Sequence, residues 1–156
     1  MIKIKFKKLK DSAVTPKRAT AAAAGYDLYA CFDEEYIDIK PNETQMIGAG
    51  IAIELPQDDL AAFIYARSGL AVKHSIAPAN CVGVVDADYR GEICVGLKNT
   101  SDKVFRVNSG DRIAQMVIAP VVYAEFEEVS ELSDTVRGEG GFGSTGVSID
   151  KENKER

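Results

Sequence analysis

Arg67-Ser68-Gly69 sets a guanidinium, a hydroxyl and an unhindered backbone amide side by side, directly after an apolar run that ends at Ala66. Those three groups suit phosphate oxygens, because each offers an N–H or O–H donor to an anion. A second chemical stretch is Gly83-Val84-Val85-Asp86-Ala87-Asp88-Tyr89-Arg90-Gly91-Glu92. Here apolar runs on either side would hold one acid, Asp86, and one ring, Tyr89, in a fixed relation. An Asp-rich turn of solvated acids is the plainer alternative. The third stretch, Arg137-Gly138-Glu139-Gly140-Gly141-Phe142-Gly143-Ser144-Thr145-Gly146, cannot pack a core of its own. It reads either as a flexible linker or as a lid in which an Arg, a stackable ring and a Gly/Ser/Thr nest close over a nucleotide.

Other reactive residue types are sparse. His74 is the only histidine, and no Gly-x-Ser-x-Gly elbow accompanies it. It reads as a surface or structural residue. Cys31, Cys81 and Cys94 have no metal-type spacing and sit among apolar neighbours, which predicts buried, reduced thiols. Asp27 lies between Tyr26 and Tyr29 on an expected strand, and an outward-facing strand acid is the competing explanation for it.

The elements that must position these residues are short and extended. Ile2, Ile4 and Phe6 alternate with Lys3, Lys5 and Lys7, the period of a half-buried strand with a wet or aggregation-guarded face. Further strands are expected over residues 26–30, 36–39, 60–66, 104–107, 112–118 and 121–128, and one or two over 45–55, where Gly48 and Gly50 suggest a bulge. Residues 80–97 read as a β-hairpin. Along 112–118, Ile113 and Gln115 should share one face, with Ala114 and Met116 on the other. Residues 70–73 suggest a short helical turn. With no long 3.6-residue apolar period and many turns, the pattern is all-β, a sandwich or barrel. The composition changes near Ser130, giving a β domain over 1–129 and an arm over 130–156.

Composition narrows the function. The chain has 156 residues and 46% hydrophobic residues, which suits one globular core. Nineteen Lys and Arg against 24 Asp and Glu leave a net charge of −5, so no general attraction to nucleic acid or anionic membrane is expected. An anionic ligand must meet a local cluster of cations and amides. The alternating N-terminus is not a signal peptide, and no apolar run is long enough to span a bilayer.

Taken together, Ala24-Gly25-Tyr26-Asp27-Leu28, Ala66 to Ala71, Asn80 to Glu92, Gly110-Asp111-Arg112-Ile113-Ala114-Gln115 and Arg137 to Gly146 stand in the order found in one family. The chain resembles the homotrimeric dUTP pyrophosphatases (dUTPases). It departs from them in having Ala66 where Pro is frequent, and in a charged extension after Gly146. The resemblance implies a jelly-roll-like β-barrel, three active sites built between three subunits, and a C-terminal arm that closes over a site. It implies hydrolysis of dUTP to dUMP and pyrophosphate, which supplies dUMP for thymidylate synthesis and keeps uracil out of DNA. Asp86 would be the general base. Arg67, Ser68, Gly69, Gln115, Arg137, Ser144 and Thr145 would contact phosphates. Asn80, Gly83, Val85, Tyr89 and Phe142 would contact uracil and deoxyribose. Mg²⁺ would be held by the triphosphate and water with no direct protein ligand, and Asp27 would act in the outer shell. The expected setting is the cytoplasm, or a host cytoplasm or nucleus for a viral source. A dCTP deaminase, a non-catalytic nucleotide binder and a coat subunit on a similar scaffold are the rival readings.

Overall fold

The structure, a computed structural model, describes residues 2–141. The chain divides into two units, Met1–Tyr123 and Ala124–Arg156. The first holds β1 (Lys5–Lys8), β2 (Tyr26–Tyr29), β3 (Tyr36–Ile39), β4 (Thr44–Gly48), β5 (Ile51–Glu54) and β6 (Leu60–Tyr65), then α1 (Ser68–His74). It continues with β7 (Ile76–Pro78), β8 (Val82–Val85), β9 (Cys94–Asn99), β10 (Phe105–Asn108) and β11 (Arg112–Pro120). The strands pair antiparallel in sheets ordered β2-β11-β6-β8, β4-β9-β7, β1-β5 and β10-β3. This is the expected all-β, jelly-roll-like fold, with one short helix where the helical turn was anticipated.

The alternation of side chains explains which strands lie deep. In β9, Val95, Leu97 and Asn99 are buried while Cys94, Gly96 and Lys98 face outward. Asn99 is fully buried, yet its amide donates to the carbonyls of Ile39 and Lys103 and its Oδ1 accepts from Ser101. Those bonds remove the penalty of an unpaired buried amide, about 1–3 kcal/mol. β6 runs between β11 and β8, so both of its edges are paired, and Leu60, Ala61, Ala62 and Ile64 are all buried. Leu28, Ile39, Ile47, Ile51, Ile76, Ile93, Val107 and Ile113 complete the centre of the core.

Several local expectations are overturned. The 80–97 hairpin does not form: β8 pairs with β6 in one sheet, whereas β9 pairs with β4 and β7 in another. Residues 86–93 therefore cross between sheets. Each strand is instead taken up by partners distant in sequence: all four residues of β8 pair with β6, and β9 is paired on both sides, by β4 and β7. Gly48 and Gly50 mark a corner between β4 and β5, with Gly50 at φ +66, and not a bulge within one strand. A bulge does occur in β11, between Arg112 and Ala114. It lets Ile113 and Ala114 both be buried, against the strict alternation expected. Residues 121–128 form no strand. Val122 and Phe126 are almost fully exposed there, and an extended segment without a ladder partner is not a stable strand.

Cys31 is buried, but Cys81 and Cys94 are exposed, which corrects the reading of three buried thiols. All three are free. Partial burial, with the nearby Glu92 carboxylate, pushes the Cys94 thiol above its ordinary pKa. His74 stacks obliquely on Phe105 at 5.4 Å between ring centroids, in keeping with a structural role.

Candidate active site

One group of polar residues gathers where β2, β6 and β11 meet α1. β11 pairs with β2 on one side and β6 on the other, so Gln115 stands opposite both Asp27 and Tyr65. The Gln115 amide donates to the Ala66 carbonyl at 2.9 Å. Gly25 makes room for it, since a Cβ there would lie 2.7 Å from Gln115 Oε1. Asp27 is 8% exposed and is held from both oxygens: Arg67 Nε donates to Oδ1 at 3.0 Å, and Arg112 Nη1 donates to Oδ2 at 3.2 Å. Arg67 Nη1 also donates to the Arg112 carbonyl at 3.2 Å. Asp27 is therefore neither an outward-facing acid nor an isolated one. It neutralises two guanidinium groups that would otherwise repel each other, and it fixes the direction of Arg67. Ser68 and Gly69 follow at the first two positions of α1, both exposed.

A second group lies on β8 and the segment after it. β8 is the outer strand of its sheet, so its far edge presents backbone N–H and C=O groups that no other strand among the described residues pairs with. Asn80 and Gly83 are neighbours: a Cβ on Gly83 would be 3.5 Å from Asn80 Nδ2 and 3.1 Å from Ile64 Cβ. Val85 is half-buried and packs against the core. Asp86 is exposed and shares a depression with Asp58, Ala61, Val121 and Tyr123. The Tyr89 amide donates to the Asp86 carbonyl at 3.2 Å, closing a turn. The Tyr89 phenol donates to the Glu92 carbonyl at 3.1 Å, and its ring covers Gly91, where a Cβ would come within 2.6 Å of the ring carbon that carries the hydroxyl.

The two groups are not brought together within one chain. In the β6–β8 ladder Tyr65 faces Val82 and Ala62 faces Val85. Arg67 leaves β6 beyond the first of these pairs, and Asp86 leaves β8 beyond the second. Tyr65, level with Gln115 and Val82, and Ala62, level with Val85, are three residues apart, or about 10 Å along the strands at ~3.4 Å each, and Arg67 and Asp86 lie beyond these pairs at opposite ends. Asn80 stands at the Arg67 end, and Asp86 and Tyr89 follow the other.

In the second unit Arg137 Nε donates to the Gly140 carbonyl at 2.8 Å, and the Gly140 amide returns a bond to the Arg137 carbonyl. Gly138 sits at φ +51, a left-handed turn conformation suited to glycine. Phe142, Ser144 and Thr145 lie outside the described residues. Among the described residues no three His, Cys, Asp or Glu side chains converge on a point that could hold a metal ion. No helix in this range is long and apolar enough to cross a membrane.

Sequence reasoning passed over Arg112 and Glu92. Arg112 belongs with Arg67 because the bulge at Ile113 turns it toward Asp27, and no periodicity argument reveals a bulge. The Glu92 side chain accepts from the Gly50 amide at 2.8 Å, forty-two positions away in sequence. Only the fold makes that contact visible.

A family model described as dUTPase matches residues 11–146. A deoxyuridine 5'-triphosphate nucleotidohydrolase of Desulfitobacterium hafniense is 50% identical over 147 residues, covering 94% of this chain and 97% of the relative. One from Nautilia profundicola is 51% identical over 145 residues, covering 93% and 99%. Among solved structures, the dUTPase of Staphylococcus bacteriophage 80alpha with dUPNHPP superposes with a TM-score of 0.83 at 28% identity, covering 93% of this chain and 99% of that one.

Proposed function

The chain belongs to the dUTPase family and is a deoxyuridine 5'-triphosphate nucleotidohydrolase; we propose that it works as a homotrimer whose active sites each join the Asp86 end of one copy to the Arg67–Gln115 end of the next. The observation that carries this is the separation just described. An acid and a phosphate-binding cluster at opposite ends of the β6–β8 ladder cannot act on one bond in one chain. A cyclic assembly places one end of each copy against the other end of its neighbour.

In such a site the substrate is Mg²⁺–dUTP, the ion riding on the triphosphate and water. That fits a donor set with plentiful cations and amides and no carboxylate cage, since Mg²⁺ keeps several waters and is commonly carried by phosphates. Arg67, Ser68, Gly69 and Gln115 would bind the phosphates, with Asp27 holding Arg67 in line and reaching the ion's waters through its remaining lone pairs. The free edge of β8, from Gly83 to Val85, supports reading of uracil by main-chain bonds, with Asn80 beside it. An amino group at the pyrimidine 4-position would face a donor, and a 5-methyl would meet backbone. Tyr89 would lie under the deoxyribose and exclude a 2′-hydroxyl.

Asp86 then orients a water at the α-phosphorus and takes its proton as the P–O bond to the leaving pyrophosphate breaks. Arg137, Ser144, Thr145 and Phe142 would close over the β- and γ-phosphates and the base, excluding bulk water. The dUMP formed is the acceptor for thymidylate synthesis, and removal of dUTP keeps uracil out of DNA.

Mixed trimers test the shared site. Asp86→Asn and Arg67→Ala subunits should each be nearly inactive alone. Unfolded together in equal amounts and refolded, they should recover activity in about a quarter of the sites, where an intact Asp86 end meets an intact Arg67 end. No recovery in mixtures shown by mass spectrometry to be mixed trimers would place the whole site in one chain. Initial rates with dUTP, dCTP, dTTP and UTP, with pyrophosphate and ammonia both assayed, separate this reading from a deaminase.

A further inference from the structure

Glu92 stands outside the set of residues given a role above, yet it joins two parts of the fold. Its Oε1 accepts from the Gly50 amide at 2.8 Å. The corner that grips it has been cleared of side chains: a Cβ on Gly48 would lie 3.0 Å from Glu92 Cδ. Gly50, at φ +66, would with a Cβ come 2.9 Å from Ala13 Cβ. The corner itself does not move freely. The Gly50 carbonyl accepts from Leu9, the Gly48 carbonyl accepts from Cys31, the Ala49 amide donates to Ile93, and the Ile93 amide donates to Ile51. On its other side the Glu92 carbonyl accepts the Tyr89 phenol at 3.1 Å. An unbroken chain of bonds thus runs from the β4–β5 corner through Glu92 to the Tyr89 ring, which rests on Gly91.

We propose that Glu92 is a positioning residue that sets the height of the Tyr89 ring, and through it the preference of the enzyme for a 2′-deoxyribose over a ribose. The inference rests on the reading of Tyr89 as the floor beneath the sugar. The part of Glu92 that matters is an acceptor oxygen and not its charge, because its side-chain partner is a neutral backbone amide. Without that acceptor the buried Gly50 amide is left unpaired, and residues 86–92 lose the side-chain bond that ties them to the corner. The ring then rides higher or lower over Gly91, and a 2′-hydroxyl finds space.

The test compares Glu92→Ala, Glu92→Gln, Tyr89→Phe and Tyr89→Ala, all as intact trimers. The readouts are kcat and KM for dUTP and for UTP, with the melting temperature alongside. Glu92→Ala and Tyr89→Phe should each lower the dUTP-over-UTP preference about tenfold, the size of one lost hydrogen bond, chiefly through KM. Glu92→Gln, which keeps the acceptor, should stay within about twofold of wild type. The Glu92→Ala/Tyr89→Phe double variant should fall no further than either single one, because both cut the same chain of bonds. Unchanged preference in Glu92→Ala, or equal loss in Glu92→Gln, overturns the inference. If Glu92→Ala fails to fold, unchanged preference in Tyr89→Phe overturns it instead. Tyr89→Ala separates the two levels: preference kept in that variant defeats the reading of Tyr89 itself, whereas preference lost there and kept in Glu92→Ala and Tyr89→Phe defeats only the role of Glu92.

Discussion

Asp86 and Asp27 show how differently two carboxylates are used on one scaffold. Asp86 is exposed, at the mouth of a turn, and free to meet water. Asp27 is almost buried, and both of its oxygens are taken by guanidinium groups. Asp86→Asn should therefore keep the fold and dUTP binding but lose turnover by about 10²–10⁴, the usual contribution of a positioned base. Wild-type kcat in the variant removes Asp86 from water activation. Asp27→Asn should lower stability by about 1–3 kcal/mol, because Arg67 and Arg112 are left facing each other around a neutral amide. Its KM for dUTP should rise as Arg67 swings away, and chemical denaturation with steady-state kinetics measures both effects. The types and order of Asp86, Arg67 and Gln115 suffice to propose them as site residues from the sequence. It did not reveal that Asp27 is a clamp, since the partner Arg112 is 85 positions away and reaches it only through the bulge at Ile113.

Most strands were legible for the same reason that strand pairing was not, although 121–128 forms none and β7 was not expected. Alternation in 94–99 or 36–39 is local, and a half-buried strand is the only element that satisfies it. Which edge a strand finds depends on the whole set of competitors, so β8 and β9 separate into different sheets although they adjoin in sequence. That separation leaves β8 paired on one side alone, by β6, where pairing with both β6 and β9 would have covered both of its edges. The β3–β10 pair offers a check on sheet energetics. Arg106 donates through Nε and Nη2 to both oxygens of Asp38, each at 2.8 Å, and stacks 3.5 Å above the Tyr36 ring. The hydrogen bonds from Arg106 hold the Asp38 carboxyl below the ordinary carboxylate range. A depressed pKa in the folded state stabilises at pH values above the unfolded pKa, and the gain disappears as pH falls through the folded one. Asp38→Asn should thus melt slightly below wild type at neutral pH, and the difference should close in strong acid. A difference that persists at the acid end means the pair contributes packing alone. Gly25→Ala, at the start of β2, should leave melting nearly unchanged but raise KM, because the added methyl meets the Gln115 side chain 2.7 Å away.

At the scale of the whole chain, the core and the proposed arm fall in different units. Among the described residues, every member of the buried core lies between Ala13 and Met116, and those from Ala124 onward contribute none. Removing residues 137–156 should for that reason leave the melting temperature and the trimer intact. It would nevertheless take away Arg137, Phe142, Ser144 and Thr145, the donors and the ring assigned to the outer phosphates and the base. Loss of preorganised donors at developing phosphate charge costs about 10²–10³ each in rate, so kcat/KM for dUTP should fall at least about 10²-fold. The truncated enzyme should also lose protection of the bound nucleotide from solvent, seen as faster quenching of a fluorescent dUTP analogue. Full activity in a truncated trimer would make the glycine-rich segment a plain tail, and residues 1–136 would then carry the whole catalytic unit.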